Sequence, residues 1–301
     1  MNILIPGGTG LLGTALSAEL IAEGHQVWVL SRNPNRSRRS GQVQIALWDG
    51  KTATGWGHLV NQMDAIVNLA GENIGTWPWN PKRKELIRTS RIDAGRAICE
   101  AVQNAEKKPG VLIQASGVGA YGPSGDIWLD ETAGYGQDFQ SKVCIDWEAS
   151  TRPVEALDVR RVVIRTGLVM ARQGGWMEPL TTAFRLFASG PLGSGRQWWS
   201  WIHLDDYVHG VVHLINQPAA VGTFNLAAPN PAQMNSFGRE LARVLKRPYW
   251  IPAPAFGLRL VLGEMSDLIL YGQRVSAKKM IESGYSYRYA TLRPALEDLF
   301  G

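Results

Sequence analysis

The sequence has little of what staples or anchors a chain. Among its 301 residues are two cysteines, Cys99 and Cys144, and five scattered histidines. Two thiols form no disulfide framework, and the histidines show no ligand spacing, so no metal site is expected and a reducing, cytoplasmic setting fits. No apolar run approaches the ~20 residues that cross a bilayer, so no membrane partner is expected. The first apolar run starts at Asn2, leaving no room for a secretory signal. Repeats and low-complexity tracts are missing too. What remains is a chain that is 45% hydrophobic, ordinary for a globular protein with a sizeable core.

The most informative stretch is the first thirteen residues. Asn2 to Ile5 is a short apolar run suited to a buried parallel strand. Gly7, Gly10 and Gly13 follow at three-residue spacing, and Leu12, Leu16 and Leu20 then share one helical face with Ala15 beside them. Strand, glycine turn and helix are the context a dinucleotide motif requires. Gly7 lets the chain turn, Gly10 lets backbone approach a pyrophosphate, and Gly13 lets the helix pack close to the strand. The N–H groups at the helix start, with Thr9, Leu11 and Leu12 in the turn, then hold phosphate.

Gln26 to Leu30 reads as the second strand and ends in Ser31-Arg32. An NAD-binding chain carries Asp or Glu about here, for the ribose diol. An arginine stands there instead, with Arg36, Arg38 and Arg39 behind it. A guanidinium binds a 2′-phosphate that a carboxylate would repel, so the expected cofactor is NADP. The net charge of +5 also reflects a second basic group, Lys82, Arg83, Lys84, Arg88 and Arg91. Nucleic acid, a solvated face and a small anionic ligand all suit such clusters. The place of the first cluster favours the ligand and argues against nucleic acid.

Further strands are expected at Val43 to Leu47, Asp64 to Ala70, Val111 to Ala115 and Val159 to Arg165. Leu69, Ala70 and Gly71 would let a cofactor lie against the sheet edge. A long helix is expected over Pro81 to Asn104, with Leu86, Ile87, Ile92, Ala97 and Ile98 inward, and another over Phe139 to Ser150. This alternation predicts an α/β fold, a Rossmann-type doubly wound parallel sheet. Residues 1–169 form the expected cofactor domain, and 170–301 a smaller α/β lid domain, with strands around 198–226 returning to the sheet. Helices are expected over Asp205 to Asn216 and Ser236 to Lys246.

Taken together, Gly-Gly-Thr-Gly-Leu-Leu-Gly (7–13), Ser31-Arg32, Asn-Leu-Ala-Gly-Glu-Asn-Ile (68–74), Ser90-Arg91, Asp146-Trp147-Glu148, Trp201-Ile-His203 and Gly-Gln-Arg-Val (272–275) carry a resemblance. The chain resembles the extended short-chain dehydrogenase/reductase superfamily. Within it, the likeness is to the atypical epimerase/dehydratase-like branch with a carboxyl-terminal domain of unknown function. The resemblance implies a nicotinamide cofactor, a small-molecule substrate and a homodimer through the helices after the fourth and fifth strands. Some relatives are named for roles in cell division.

The superfamily's chemistry normally rests on a Ser or Thr and a Tyr-x-x-x-Lys pair, in which lysine lowers the tyrosine pKa. None of the eight tyrosines here begins that pattern. If Phe139 takes the tyrosine's place, Val143 takes the lysine's; if Lys142 takes the lysine's place, Asp138 takes the tyrosine's. The remaining catalytic candidates are Ser116, at a strand end, and Tyr121, which matches the superfamily's pocket-lining Tyr-Gly. Arg91 falls where many relatives place a helix asparagine and is expected to face the cofactor. Trp77 and Trp79 are candidate pocket walls, and His203 reads as a helix-entry residue. Two functions stay open: an NADP-dependent oxidoreductase or epimerase acting on a small, anionic substrate, or an NADP-binding sensor or scaffold with little turnover.

Overall fold

A computed structural model describes residues 1–33 and 43–301. Its centre is a seven-stranded, all-parallel sheet: β1 (Asn2–Pro6), β2 (Gln26–Ser31), β3 (Val43–Leu47), β4 (Ala65–Asn68), β5 (Val111–Gly117), β6 (Arg160–Thr166) and β7 (Gly222–Leu226). Their order across the sheet is β7-β6-β5-β4-β1-β2-β3. Side chains alternate across the sheet, so consecutive apolar residues supply two cores. Ile3 and Ile5 pack on one face against Leu16 and Leu20 of helix α1 (Leu11–Ala22). Leu4 packs on the other against Ala94 and Ile98 of α2 (Pro81–Asn104). Helix α3 (Phe139–Ser150) lies beside α2.

Beyond β6 a short strand, Leu168–Met170, pairs in parallel with Trp201–His203. Between them comes α4 (Met177–Arg185). Helix α5 (Leu204–Asn216) then joins the α1 face and leads into β7. Helices α6 (Met234–Leu245), α7 (Ala255–Leu262), α8 (Asp267–Leu270), α9 (Lys278–Glu282) and α10 (Leu292–Phe300) complete the chain. A further core holds Phe184, Trp199, Trp201, Phe237 and Leu296. Asp206, fully buried at the start of α5, accepts hydrogen bonds from the Arg288 and Tyr289 N–H groups, both at 2.8 Å, and from the Tyr285 hydroxyl at 2.9 Å. That carboxylate ties the segment from Tyr285 to Tyr289 to α5. No helix among the described residues is long and apolar enough to cross a membrane.

Two local expectations need correction. The fourth strand stops at Asn68 and not at Ala70, because Asn68 Oδ1 accepts the Ala70 N–H at 3.2 Å and turns the chain. Leu86 of α2 is exposed; the inward stripe runs through Ile87, Arg91, Ala94 and Ile98. Gly95 allows close approach to α3, since a Cβ there would overlap the Ser150 hydroxyl.

Candidate functional site

The glycine turn is tight where glycine is required. Gly7 has φ +83°, and a Cβ on it would fall 2.6 Å from the Leu69 backbone. A Cβ on Gly13 would fall 2.5 Å from Gly8 Cα, so the start of α1 packs on the turn itself. Gly10 is open on its outer side, with its nearest neighbour, Gly7 O, at 3.5 Å from such a Cβ. It also caps α1 with no side-chain acceptor for the helix's first N–H groups. An uncapped helix start behind a cradle bare of side chains fits a diphosphate, whose oxygens would take those N–H bonds. Thr9 and Leu11 stand at the surface of the cradle and Leu12 packs partly inward.

Around the cradle lie the other expected cofactor residues. Leu69 donates its N–H to Pro6 O at 2.9 Å, holding the end of β4 beside the turn. Ser31 is buried, and its hydroxyl donates to Asn33 O at 3.0 Å. The Arg32 side chain is 72% exposed, with Glu72 Oε2 3.9 Å from Nη2. Arg36, Arg38 and Arg39 lie outside the described residues.

Arg91 turns inward. Its guanidinium lies against Gly71, where a Cβ would come 3.0 Å from Cζ, and stacks 4.7 Å from the Trp147 ring. Nη1 donates to Ile87 O at 2.8 Å and Glu72 O at 3.0 Å. No carboxylate among the described residues comes within ion-pair distance of it. Burial lowers its pKa to about 10.

At the ends of β5 and β6 is a second polar cluster, of which the sequence singled out only Ser116 and Tyr121 as catalytic candidates. Glu148 of α3 and Arg165 of β6 form a buried two-pronged pair, Nε–Oε1 at 3.0 Å and Nη2–Oε2 at 3.1 Å. The Ser116 and Tyr135 hydroxyls each donate to Glu148, both at 2.6 Å. The Arg165 guanidinium lies 4.7 Å from the ring centres of both Tyr121 and Tyr135. Its Nη1 is buried without a partner. Burial opposes ionisation of Glu148, but Arg165, Ser116 and Tyr135 outweigh it and hold the carboxyl below its usual range. The Tyr121 hydroxyl donates to Asn225 Oδ1 at 2.7 Å; burial pushes it up to about 12, against the pull of Arg165.

Helix α3 begins at Phe139, whose ring meets Trp79 edge-on at 5.1 Å and lies 4.6 Å from the Lys84 ammonium. Val143 is buried and Lys142 points to solvent. Trp79 and Phe139 line a narrow cleft with Asp138, Glu264, Asp267 and Tyr271, whereas Trp77 is 59% exposed. His203 caps α5, Nδ1 accepting the Asp205 N–H at 3.1 Å.

Residues 3–227 match the NAD dependent epimerase/dehydratase family. The chain belongs to that family. Residues 253–299 match a domain of unknown function, DUF1731. Among curated relatives, epimerase family protein YfhF of Bacillus subtilis is 38% identical over 300 residues, spanning 99% of this chain and 98% of its own. Epimerase family protein SA0724 of Staphylococcus aureus is 35% identical, spanning 98% of each. The crystal structure of human epimerase family protein SDR39U1 with NADPH is 32% identical, covers 99% of both chains and superposes with a TM-score of 0.88. The Rossmann-like sheet is thus an epimerase-family sheet.

In this epimerase-family chain, Gly7, Gly10, Gly13, Leu69 and Gly71 gather at one sheet edge, and Ser116 and Tyr121 gather near Arg165. Glu148, Arg165, Tyr135 and Asn225 were not singled out for a role. Two ionisable residues inside predicted elements, Glu148 on a helix and Arg165 ending a strand, were the available signal, because charges there must pair. Nothing in their spacing says with which partner.

Proposed function

We propose that the chain binds NADP(H) and uses it for hydride transfer to or from a small substrate. The observation that carries the cofactor choice is Ser31-Arg32 at the end of β2, where the strand end itself carries no Asp or Glu and the neighbouring Glu72 is already paired with Arg83 at 3.0 Å. The exposed Arg32 guanidinium, held among the described residues only by a loose 3.9 Å contact with Glu72, would swing onto that phosphate. The NADPH in the human relative's structure supports the same choice. Gly7, Thr9, Gly10, Leu11, Leu12 and Gly13 would hold the diphosphate, with Leu69, Ala70 and Gly71 beside the adenosine. Arg91, a buried cation bonded to carbonyls, would add charge at that edge and suits an anionic substrate or phosphate.

When bound, the nicotinamide supplies or accepts the hydride. The chain's own residues must then manage a proton and a developing oxyanion. Tyr121, held protonated at neutral pH, suits an acid and not a base. Arg165, beside its ring, is the cation nearest that hydroxyl's aromatic system. The single proton of Ser116 goes to Glu148, so its Oγ offers lone pairs to a neighbouring donor. This arrangement favours reduction by NADPH. The second reading, a sensor or scaffold, draws on the broken dyad, with either Phe139 and Val143 or Asp138 and Lys142 in the tyrosine–lysine positions.

Calorimetric titration with both cofactors is the test. NADPH should bind more tightly than NADH, and Arg32→Ala should cost NADPH about 1.5–3 kcal/mol while leaving NADH nearly unchanged. Equal binding of the two cofactors would reject the proposal. NADPH consumption over aldehydes, ketones and sugar nucleotides, repeated with Tyr121→Phe and Ser116→Ala, then separates the readings. Loss of turnover in either variant supports a catalytic role, and tight binding with no turnover supports the sensor.

A further inference from the structure

Two acid-free stretches, residues 179–204 and 241–263, meet where Ser189 and Pro191 hydrogen-bond the segment from Pro248 to Ala253. Together they hold six basic residues and no carboxylate. The Trp250 and Ile251 N–H groups donate to Ser189 O at 2.9 and 3.0 Å, and the Trp250 indole donates to Phe187 O at 2.9 Å. The Arg247 guanidinium lies 5.0 Å from the Phe187 ring centre. Helix α7 follows at once and buries none of its eight residues.

The result is a ledge of large apolar side chains turned to solvent. Leu186 is 72% exposed, Trp250 65%, Phe256 75% and Leu260 85%. Phe256 and Leu260 stand four residues apart, on one face of α7. Arg185, Lys246, Arg247 and Arg259 are spread along the same segments. The carboxylates that bound the second stretch are already engaged, Glu240 with Arg243 and Arg293, and Glu264 with Lys84. Asp267 faces Arg259, and Glu178 precedes the first stretch, so the four cations outnumber the unengaged acids around them. Large apolar side chains are seldom left exposed together unless something covers them.

The charge decides what. A second copy meeting this ledge across a two-fold axis would set arginine against arginine. An anionic surface meets no such penalty. We infer that the ledge is a peripheral docking surface for an anionic phospholipid bilayer. Trp250, Phe256 and Leu260 enter the boundary between headgroups and acyl chains, and Arg185, Lys246, Arg247 and Arg259 meet the lipid phosphates. The contact lies in the membrane plane, and it revises the expectation of no membrane partner. It is independent of the cofactor proposal.

Flotation of the full chain with vesicles tests it. Equimolar phosphatidylglycerol and phosphatidylcholine should carry the protein up, phosphatidylcholine alone should not, and salt should weaken the binding. Phe256→Ser with Leu260→Ser should reduce binding at least tenfold. Arg185→Glu with Arg259→Glu should abolish the preference for anionic lipid. Unchanged melting by circular dichroism checks the fold, and Trp250→Ser serves if either pair fails to fold. No flotation with the anionic vesicles, or flotation that survives both pairs, overturns the inference. A dimer in sedimentation that Phe256→Ser with Leu260→Ser dissolves, in a protein that ignores vesicles, assigns the ledge to a second copy and overturns it as well.

Discussion

A carboxylate as buried as Glu148 stays ionised only while its oxygens are well supplied with donors. Arg165, Ser116 and Tyr135 supply four hydrogen bonds between them. Glu148→Gln should therefore leave the Arg165 charge uncompensated and destabilise the fold by about 3–5 kcal/mol, read by urea unfolding. Because the folded-state pKa of Glu148 lies below its ordinary value of 4.5, the stabilisation is present above that pH. It is lost as pH falls through the lower, folded value. The acid limb of the wild-type stability profile should thus flatten in Glu148→Gln. Residues of this kind were the hard part of the sequence. The glycine turn was legible because Gly7 and Gly13 stand where any side chain would collide, and local spacing records that. The Glu148–Arg165 pair joins residues seventeen apart on different elements, through a contact that local spacing does not encode.

Elements were easier to read than side chains. The strands appear because β-rich apolar runs alternate with helical segments, and a parallel sheet buried on both faces tolerates little else. The error on α2 has a plain cause. Choosing Leu86 as inward treats the most apolar residue as the most buried, whereas the helix turns Ile87 and Arg91 inward to meet the sheet edge. Gly95 gives a prediction at this scale. A Cβ there meets both the hydroxyl and the Cβ of Ser150, so Gly95→Ala must push α2 and α3 apart. Overpacking costs about 1–3 kcal/mol, offset by about 1 kcal/mol of helix propensity. Gly95→Val, lacking most of that offset, should fall further. Ser150→Gly should rescue either variant, and a double-mutant cycle in chemical denaturation measures the coupling.

Across the whole molecule, the segment from Tyr285 to Tyr289 is held by one carboxylate at the start of α5. Asp206→Ala would strip the acceptor from the Arg288 and Tyr289 N–H groups and leave the Tyr285 hydroxyl only the Asp206 carbonyl, at 3.0 Å. Each buried donor left without a partner costs about 1–3 kcal/mol. Amide exchange at residues 285–289 should rise well before that in β1 or β4, and limited proteolysis should cut there first. Equal protection in variant and wild type would show that the apolar contacts of α10 suffice.

The strand order also has a consequence for how the chain is made. β1 is the first of these seven strands to leave the ribosome and lies inside the sheet, not at its rim. Taken in the order of synthesis, β2 docks on β1, β3 on β2, β4 on the free side of β1, and β5, β6 and β7 each on the strand made just before. No strand has to be inserted between two that have already paired, and none must wait for a partner still untranslated. The nascent chain always offers the next strand a finished edge, and each exposed edge on the growing side is covered by the segment that follows it.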